Sequence, residues 1–209
     1  DGKHYCIFHA PLKMKEADSF IAEMKAVGGH LNNNFQGFKF PENFKWPGGI
    51  PLQNRPDFSK AEFHCRLQFT QNFHRGAIFQ GALFFRKVVF EQSEFGSKAE
   101  GQATPFNGAT FQEDVTFRAC AFNHRVGFQD ATFRQKFWMN DCDFEDIEFT
   151  LAKAYGPFTI TDCRFHRSAV FRSLRAMRSI DLTRDTFEGQ DTDLTLLTVG
   201  QKAKVRTRK

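Results

Sequence analysis

Residues 106–133 read FNGATFQEDVTFRACAFNHRVGFQDATF, and phenylalanine recurs in this stretch at alternating steps of five and six residues. An α-helix places its apolar residues three, four and seven positions apart, so this period does not fit a helix. A β-sandwich places its strands about 8 to 12 residues apart, with several inward positions in each strand. The stretch therefore predicts a repeat protein that puts one large side chain inside in every short unit.

A small or β-branched residue stands two positions before each of these phenylalanines. Ala109, Val115, Cys120, Val126 and Ala131 hold that place in the quoted stretch. Residues two apart on an extended backbone point to the same face. Each unit is therefore expected to place one large and one small side chain in a narrow interior and to continue through a turn into the next unit.

Two steps of five and two of six predict a four-sided coil of about 22 residues. Like residues are expected to recur at this interval and to stack in ladders at the spacing of neighbouring strands, about 4.8 Å. The expected ladders join Phe84 with Phe106 and Phe128, Phe73 with Phe95, Phe117 and Met139, Phe111 with Phe133 and Tyr155, Phe122 with Phe144, and Cys120 with Cys142 and Cys163.

Two gaps of eleven residues interrupt the series, after Phe95 and after Phe133. Because eleven is the sum of one step of five and one of six, the register is expected to hold across both gaps. Gly101, preceded by the small residue Ala99, is expected to take the vacant central place in the first gap, and Met139 in the second.

These units resemble the pentapeptide-repeat proteins, in the Phe-centred subclass whose units alternate between five and six residues. The likeness is carried by units such as Ala61-Glu-Phe-His-Cys, Ala77-Ile-Phe-Gln-Gly, Ala109-Thr-Phe-Gln-Glu and Ala131-Thr-Phe-Arg-Gln. Over residues 56–190 it implies an all-β solenoid, a right-handed quadrilateral β-helix of about six coils. That family is functionally diverse, so the fold leaves the function open.

The two ends do not repeat. In residues 1–55, an amphipathic helix is expected from Ala17 to Val27 and is expected to cover the first coil, because an open coil end exposes unpaired strands. Residues 191–209 are expected to form a C-terminal cap and a basic tail. That tail is either a solvated terminus or an anchor on an anionic partner.

Cys6 and His9 have the spacing of half a tetrahedral zinc site. The pair also looks like the C-terminal half of a Cys/His segment that precedes some Phe-type pentapeptide-repeat proteins. A complete site would need two further ligands, either both from sequence before Asp1 or with His4 as the third. No cofactor is expected unless such upstream ligands exist.

No catalytic constellation is visible in the sequence, and an enzyme is not expected. The ladder cysteines are expected to be buried and inert, with no histidine or acidic residue on their face. The repeat histidines (His64, His74, His124 and His166) are scattered, with no nucleophile fixed beside them. An acidic cluster around Asp141, Asp143, Glu145, Asp146 and Glu148 is expected to be a solvated face.

The bulk charge restricts the function classes. The net charge is +5, with 29 basic and 24 acidic residues. Some pentapeptide-repeat proteins mimic duplex DNA and bind type II topoisomerases, which requires a strongly acidic surface. The positive charge disfavours that role. Direct nucleic-acid binding is also ranked lower, because the arginines look interspersed with acids (Arg66, Arg75, Arg86, Arg118, Arg125, Arg134 and Arg164).

The favoured function is a non-enzymatic scaffold that binds a protein partner, either on its own or as a subunit of a larger complex. Five cysteines, an odd number, favour free thiols in a reducing compartment. No apolar run reaches the 18 or so residues that a membrane span requires. We therefore expect a cytoplasmic protein, either free or at the periphery of a membrane.

Overall fold

The structure is a computed structural model that describes residues 6–12, 16–27, 33–46, 52, 54–189 and 191–200, and the backbone of 205–207. One helix, α1, spans Ala17–Val27. The strands are β1 (Lys39–Phe40), β2 (Glu62–Phe63), β3 (Leu67–Phe69), β4 (Leu83–Phe84), β5 (Val88–Glu91), β6 (Glu94–Phe95), β7 (Thr104–Pro105), β8 (Thr110–Phe111), β9 (Val115–Arg118), β10 (Ala121–Phe122), β11 (Val126–Gly127), β12 (Thr132–Phe133), β13 (Phe137–Asn140), β14 (Asp143–Glu148), β15 (Lys153–Ala154), β16 (Phe158–Thr161), β17 (Arg164–Val170), β18 (Arg175–Ala176), β19 (Ile180–Thr183), β20 (Thr186–Phe187), β21 (Asp191–Asp193), β22 (Thr198–Val199) and β23 (Val205–Thr207).

These strands build a parallel β-solenoid of about seven turns with about 22 residues per coil. The first side is the sheet β1-β2-β4-β8-β12-β15-β18-β22, and the second is β3-β5-β9-β13-β16-β19-β23. The third side contains β6, β10, β14, β17 and β20, and the fourth contains β7 and β11 with the far ends of β14 and β17 and with β21. The predicted four-sided β-helix is confirmed.

Stacked aromatic rings fill the interior in four columns, one behind each side. Phe117 shows the arrangement: its ring is parallel to that of Phe90 with centroids 4.8 Å apart, and it meets the ring of Phe106 edge-on at 5.8 Å. The coil spacing of about 4.8 Å is also a good distance for stacked rings, and the edge-on contacts suit their quadrupoles. One residue type can therefore fill every level of the tube.

The coil that contains the first gap is five residues longer than its neighbours. On the first side Phe84 pairs with Phe111, and on the third side Phe95 pairs with Phe122. The expected stacking of Phe84 on Phe106 and of Phe95 on Phe117 is therefore wrong. The columns run Phe58-Phe79-Phe106-Phe128-Phe149-Phe171, Phe40-Phe63-Phe84-Phe111-Phe133, Phe69-Phe90-Phe117-Met139 and Phe73-Phe95-Phe122-Phe144-Phe165-Phe187.

Gly101 does not occupy a central place in the core, and Ala99 is exposed. Residues 96–101 make an extra turn at the corner after the third side, closed by a hydrogen bond from Gly101 N–H to the Ser97 carbonyl at 2.9 Å. The His124 ring donates to the same carbonyl at 2.9 Å. The register prediction was wrong because an insertion of five residues has the same length as one repeat unit.

Met139 lies fully buried in register with Phe117, as predicted, and the Phe111–Phe133 and Phe122–Phe144 stacks are confirmed. The prediction for Tyr155 was wrong. Phe133 pairs with Ala154, one residue earlier, and Tyr155 lies outside with 39% of its surface exposed. The coil that starts at Phe133 is one residue shorter than the coil before it, so an alanine takes the inward place there.

The helix predicted from Ala17 to Val27 is present and covers the N-terminal end of the stack. Phe20 and Met24 are fully buried, and the Phe20 ring packs edge-on against Phe40 of the first side. Parallel pairing already begins at Asn34, which bridges to Asp57, so the solenoid starts before residue 56 and has about seven turns where about six were expected.

Candidate functional site

Cys6 and His9 lie side by side at the exposed surface of the N-terminal segment. The Cys6 Sγ and His9 Nδ1 atoms are 3.0 Å apart, and His9 Nε2 lies 3.2 Å from the Gln36 carbonyl oxygen. A carbonyl only accepts, so Nε2 carries the ring proton and Nδ1 presents its lone pair to the thiol. The structure thus brings the two residues of the predicted half site into contact.

This arrangement fits half of a zinc site. Zinc-binding histidines usually donate their second ring N–H to a carbonyl or carboxylate, as His9 does to Gln36. Bound there, zinc would take the Cys6 thiolate and His9 Nδ1 and would tie the N-terminal segment together. No third cysteine, histidine or carboxylate joins the pair among the described residues. His4 lies outside the described residues, so the zinc site stays a prediction.

The cysteine ladder is confirmed as part of the core. Cys120, Cys142 and Cys163 are buried on three successive coils of the third side, and all are free thiols. The pKa of Cys120 is raised by its contact with Cys142 and by burial. At Cys142 the contact with Cys120 lowers the pKa, but the contact with Cys163 and burial outweigh it and raise the pKa. The raised pKa keeps Cys120 and Cys142 protonated, and protonated thiols are poor nucleophiles.

Asp185 continues this ladder beyond Cys163, where no acidic residue was expected. The Cys163 N–H donates to Asp185 Oδ1 at 2.9 Å, while the buried Oδ2 has no hydrogen-bond partner among the described residues. Burial raises the Asp185 pKa to about 7, against the lowering effect of the Cys163 amide. The place of Asp185 in the sequence, one coil length after Cys163, is the signal that identifies this position.

The histidines and the acidic cluster make contacts within a coil and between neighbouring coils. His64 lies 3.1 Å from Glu62 of its own coil, and its ring stacks on Phe85 of the next coil at 4.0 Å. Asp143 of the acidic cluster pairs with Arg164 at 3.4 Å. Such pairs link polar side chains along the axis, and no nucleophile is hydrogen-bonded to a repeat histidine in the part of the chain that the structure describes.

Most arginines named from the sequence are neutralised in the same way. Five of the seven pair with acids of neighbouring coils or of the corner turn: Arg75 with Glu100, Arg86 with Glu113, Arg118 with Glu91, Arg125 with Glu148 and Arg164 with Asp143. Arg134 instead lies over the Tyr155 ring at 4.9 Å. These five ion pairs leave no continuous cationic stripe along their sides.

The first side differs over three consecutive coils, and sequence reasoning missed this. Its strands and the following corner carry five exposed cations and no acidic residue in the matched segments 131–137, 152–158 and 174–180; Asp181 follows directly after the third. No ion pair forms at any of the five within the described residues, although Lys136 lies over the Trp138 ring at 4.4 Å. We call this surface the basic face; it comprises Arg134, Lys136, Lys153, Arg175 and Arg178.

Comparison of the chain with protein families, with curated proteins and with solved structures finds no match. No helix in the described part of the chain is long and apolar enough to cross a membrane.

Proposed function

We propose that this chain is a non-enzymatic scaffold of the pentapeptide-repeat type that binds a partner through the outward faces of its solenoid. One observation carries the proposal: most of the large apolar side chains are stacked inside, so the four sides are straight, rigid and mainly polar surfaces several coils long. A surface of this kind can present many side chains in fixed positions at little cost in conformational entropy.

The chemistry of the described residues supports a binding role. The pKa values of Cys120 and Cys142 are raised, and charged side chains pair between coils, as Arg164 does with Asp143. Mimicry of duplex DNA is not favoured, because arginines of adjacent coils neutralise the acidic cluster that such a surface would require. A protein partner, with the chain as one subunit of a larger complex, fits these faces best.

The test is capture of partners from extracts of the native source on immobilised protein. Phe117→Asp is the matched control, because it places a charge inside the tube and unfolds the stack. We expect a discrete set of proteins on the wild-type chain that the control does not retain, and a stable complex when one of them is purified and mixed with the wild type. Equal capture by both baits would contradict binding through the folded faces.

Cys6 and His9 provide the check on the non-enzymatic part of the proposal. They are the described pair in which a thiol lies within hydrogen-bond distance of an imidazole, the arrangement that activates a nucleophile. We expect the purified partner to keep its mass after incubation with the wild type. A mass change that disappears with Cys6→Ala would show that the protein is an enzyme.

A further inference from the structure

We propose that the basic face binds the surface of an anionic lipid bilayer. This proposal rests on the scaffold function above and names the partner of one side. Lys153 and Arg175 are direct neighbours across hydrogen-bonded strands. Arg134 lies two residues after Thr132, which pairs with Lys153 on the other flank and points to the same face. The cations therefore lie on one flat surface at the coil spacing of about 4.8 Å.

The acid-free surface is local, which makes it a feature of this side rather than of the whole chain. Elsewhere arginines such as Arg118, Arg125 and Arg164 are matched by a carboxylate on an adjacent coil. Asp130 and Asp181 directly flank the cationic segments in the sequence, and Asp114 on the preceding coil accepts a hydrogen bond from the Lys136 N–H at 3.1 Å. None of these acids, all of them among the described residues, forms an ion pair with the five cations, so the five charges remain available to an external anion.

Exposed apolar side chains border these cations and favour a lipid surface over a nucleic acid as the anionic partner. Leu151 and Met177 are 48% and 47% exposed, Tyr155 is 39% exposed, and Leu196 is 73% exposed. All four belong to the first side or to the turn that leads into it. A phosphate backbone offers nothing apolar to such residues, whereas the acyl boundary of a bilayer does.

Leu151 and Leu196 lie in the turn that leads into the first side. Both adopt left-handed conformations, with φ of 62° and 57°, as do Lys60, Asp130 and Ser173 at the same turn of other coils. The turn therefore requires this conformation whatever its residue, and at these two coils it places a leucine side chain on the exposed surface. The solenoid would lie with its axis parallel to the membrane plane.

The experiment is flotation with phosphatidylcholine vesicles that contain phosphatidylserine, compared with vesicles of phosphatidylcholine alone. The wild type should bind the anionic vesicles and lose affinity as salt increases. The triple variant Arg134→Gln/Lys153→Gln/Arg175→Gln should bind about 100-fold more weakly, since each basic residue near such a surface contributes about five-fold.

The control Arg118→Gln/Arg125→Gln/Arg164→Gln loses the same charge from other sides and should bind nearly as tightly as the wild type. Equal losses for the two triple variants, with unchanged melting, would overturn the proposal, and so would failure of the wild type to bind anionic vesicles. In either case, partner capture that is retained would leave the scaffold function standing.

One double variant distinguishes a lipid surface from a nucleic acid as the partner of the basic face. Leu151→Asn/Met177→Gln keeps every charge and should weaken vesicle binding several-fold. Tighter binding of the wild type to a DNA duplex than to the vesicles, unaffected by this double substitution, would replace the lipid surface by nucleic acid and overturn the proposal.

Discussion

Truncation of one ring in the middle of a column measures how much the stacking contributes to stability. Phe117 is fully buried, lies parallel to Phe90 at 4.8 Å and contacts the rings of Phe106, Phe122 and Phe128 edge-on at 5.8 to 5.9 Å. Replacement of a buried phenylalanine by alanine costs about 3 to 5 kcal/mol. With contacts on several sides, Phe117→Ala should lie at the upper end, about 4 to 5 kcal/mol.

Two matched variants provide reference values for this loss in the free energy of unfolding. Phe187 ends the third-side column, is 39% exposed and stacks on one ring, Phe165, at 4.7 Å. Phe187→Ala should therefore cost about 1 to 2 kcal/mol. Arg118 follows Phe117 but points outward into a surface ion pair with Glu91, so Arg118→Ala should cost at most about 1 kcal/mol.

Urea unfolding, followed both by circular dichroism and by tryptophan fluorescence, gives the three free energies of unfolding. Coincident transitions show that the stack unfolds as one unit, which the comparison requires. An equal loss in Phe187→Ala and Phe117→Ala would refute the view that stability grows with the number of ring contacts. A loss in Phe117→Ala as small as that in Arg118→Ala would refute its inward orientation.

Three further predictions concern titration, thiol chemistry and backbone strain. The Asp185 pKa is raised from 3.8 to about 7 in the fold, so the free energy of unfolding should fall as the pH rises between those values. Asp185→Asn should abolish this decline. At pH 8 the variant should be about 1 to 2 kcal/mol more stable than the wild type, after allowance for the partial exposure of Asp185. In a thiol-labelling assay on the native protein, Cys6 should react first, because it is exposed and the other four cysteines are buried. Burial also raises the pKa of Cys65 to about 12, which suppresses its reactive thiolate. Equal labelling rates for all five cysteines would contradict the burial. Gly76 and Gly108 both have positive φ, but a Cβ at Gly76 would come within 2.6 Å of a backbone oxygen, whereas Gly108 faces open space. Gly76→Ala should therefore lower the melting temperature more than Gly108→Ala. Similar melting temperatures for the two variants would contradict the packing around Gly76.

The sequence predicted the solenoid, its period and most of its core, because each inward position repeats with a fixed chemistry. The register prediction failed at the first gap, where the length of the segment was the only evidence for how it folds. The insertion between Phe95 and Phe106 has the length of one unit, so the sequence period is the same whether the unit lies in the coil or outside it. The strand register and the hydrogen bonds of Gly101 and His124 distinguish the two arrangements.

The candidate surface was less visible in the sequence than the core. Arg134, Lys153 and Arg175 are about one coil apart, and between them the chain passes acids that belong to other sides. Read along the chain, the charges look mixed, whereas on the folded coil the acids separate from these cations. The Cys6–His9 pair was found from its spacing, since both residues lie in one local turn.

The longer coil at the corner turn should also be recognisable when the molecule is unfolded by force. A pull on the two ends should peel coils from the stack one after another, because each coil contacts only its neighbours. An ordinary coil of about 22 residues releases about 70 Å of chain beyond the length it occupied, at about 3.4 Å per extended residue. The coil with the insertion releases about 17 Å more. In a force–extension record, one longer step would therefore mark the position of the corner turn within the series.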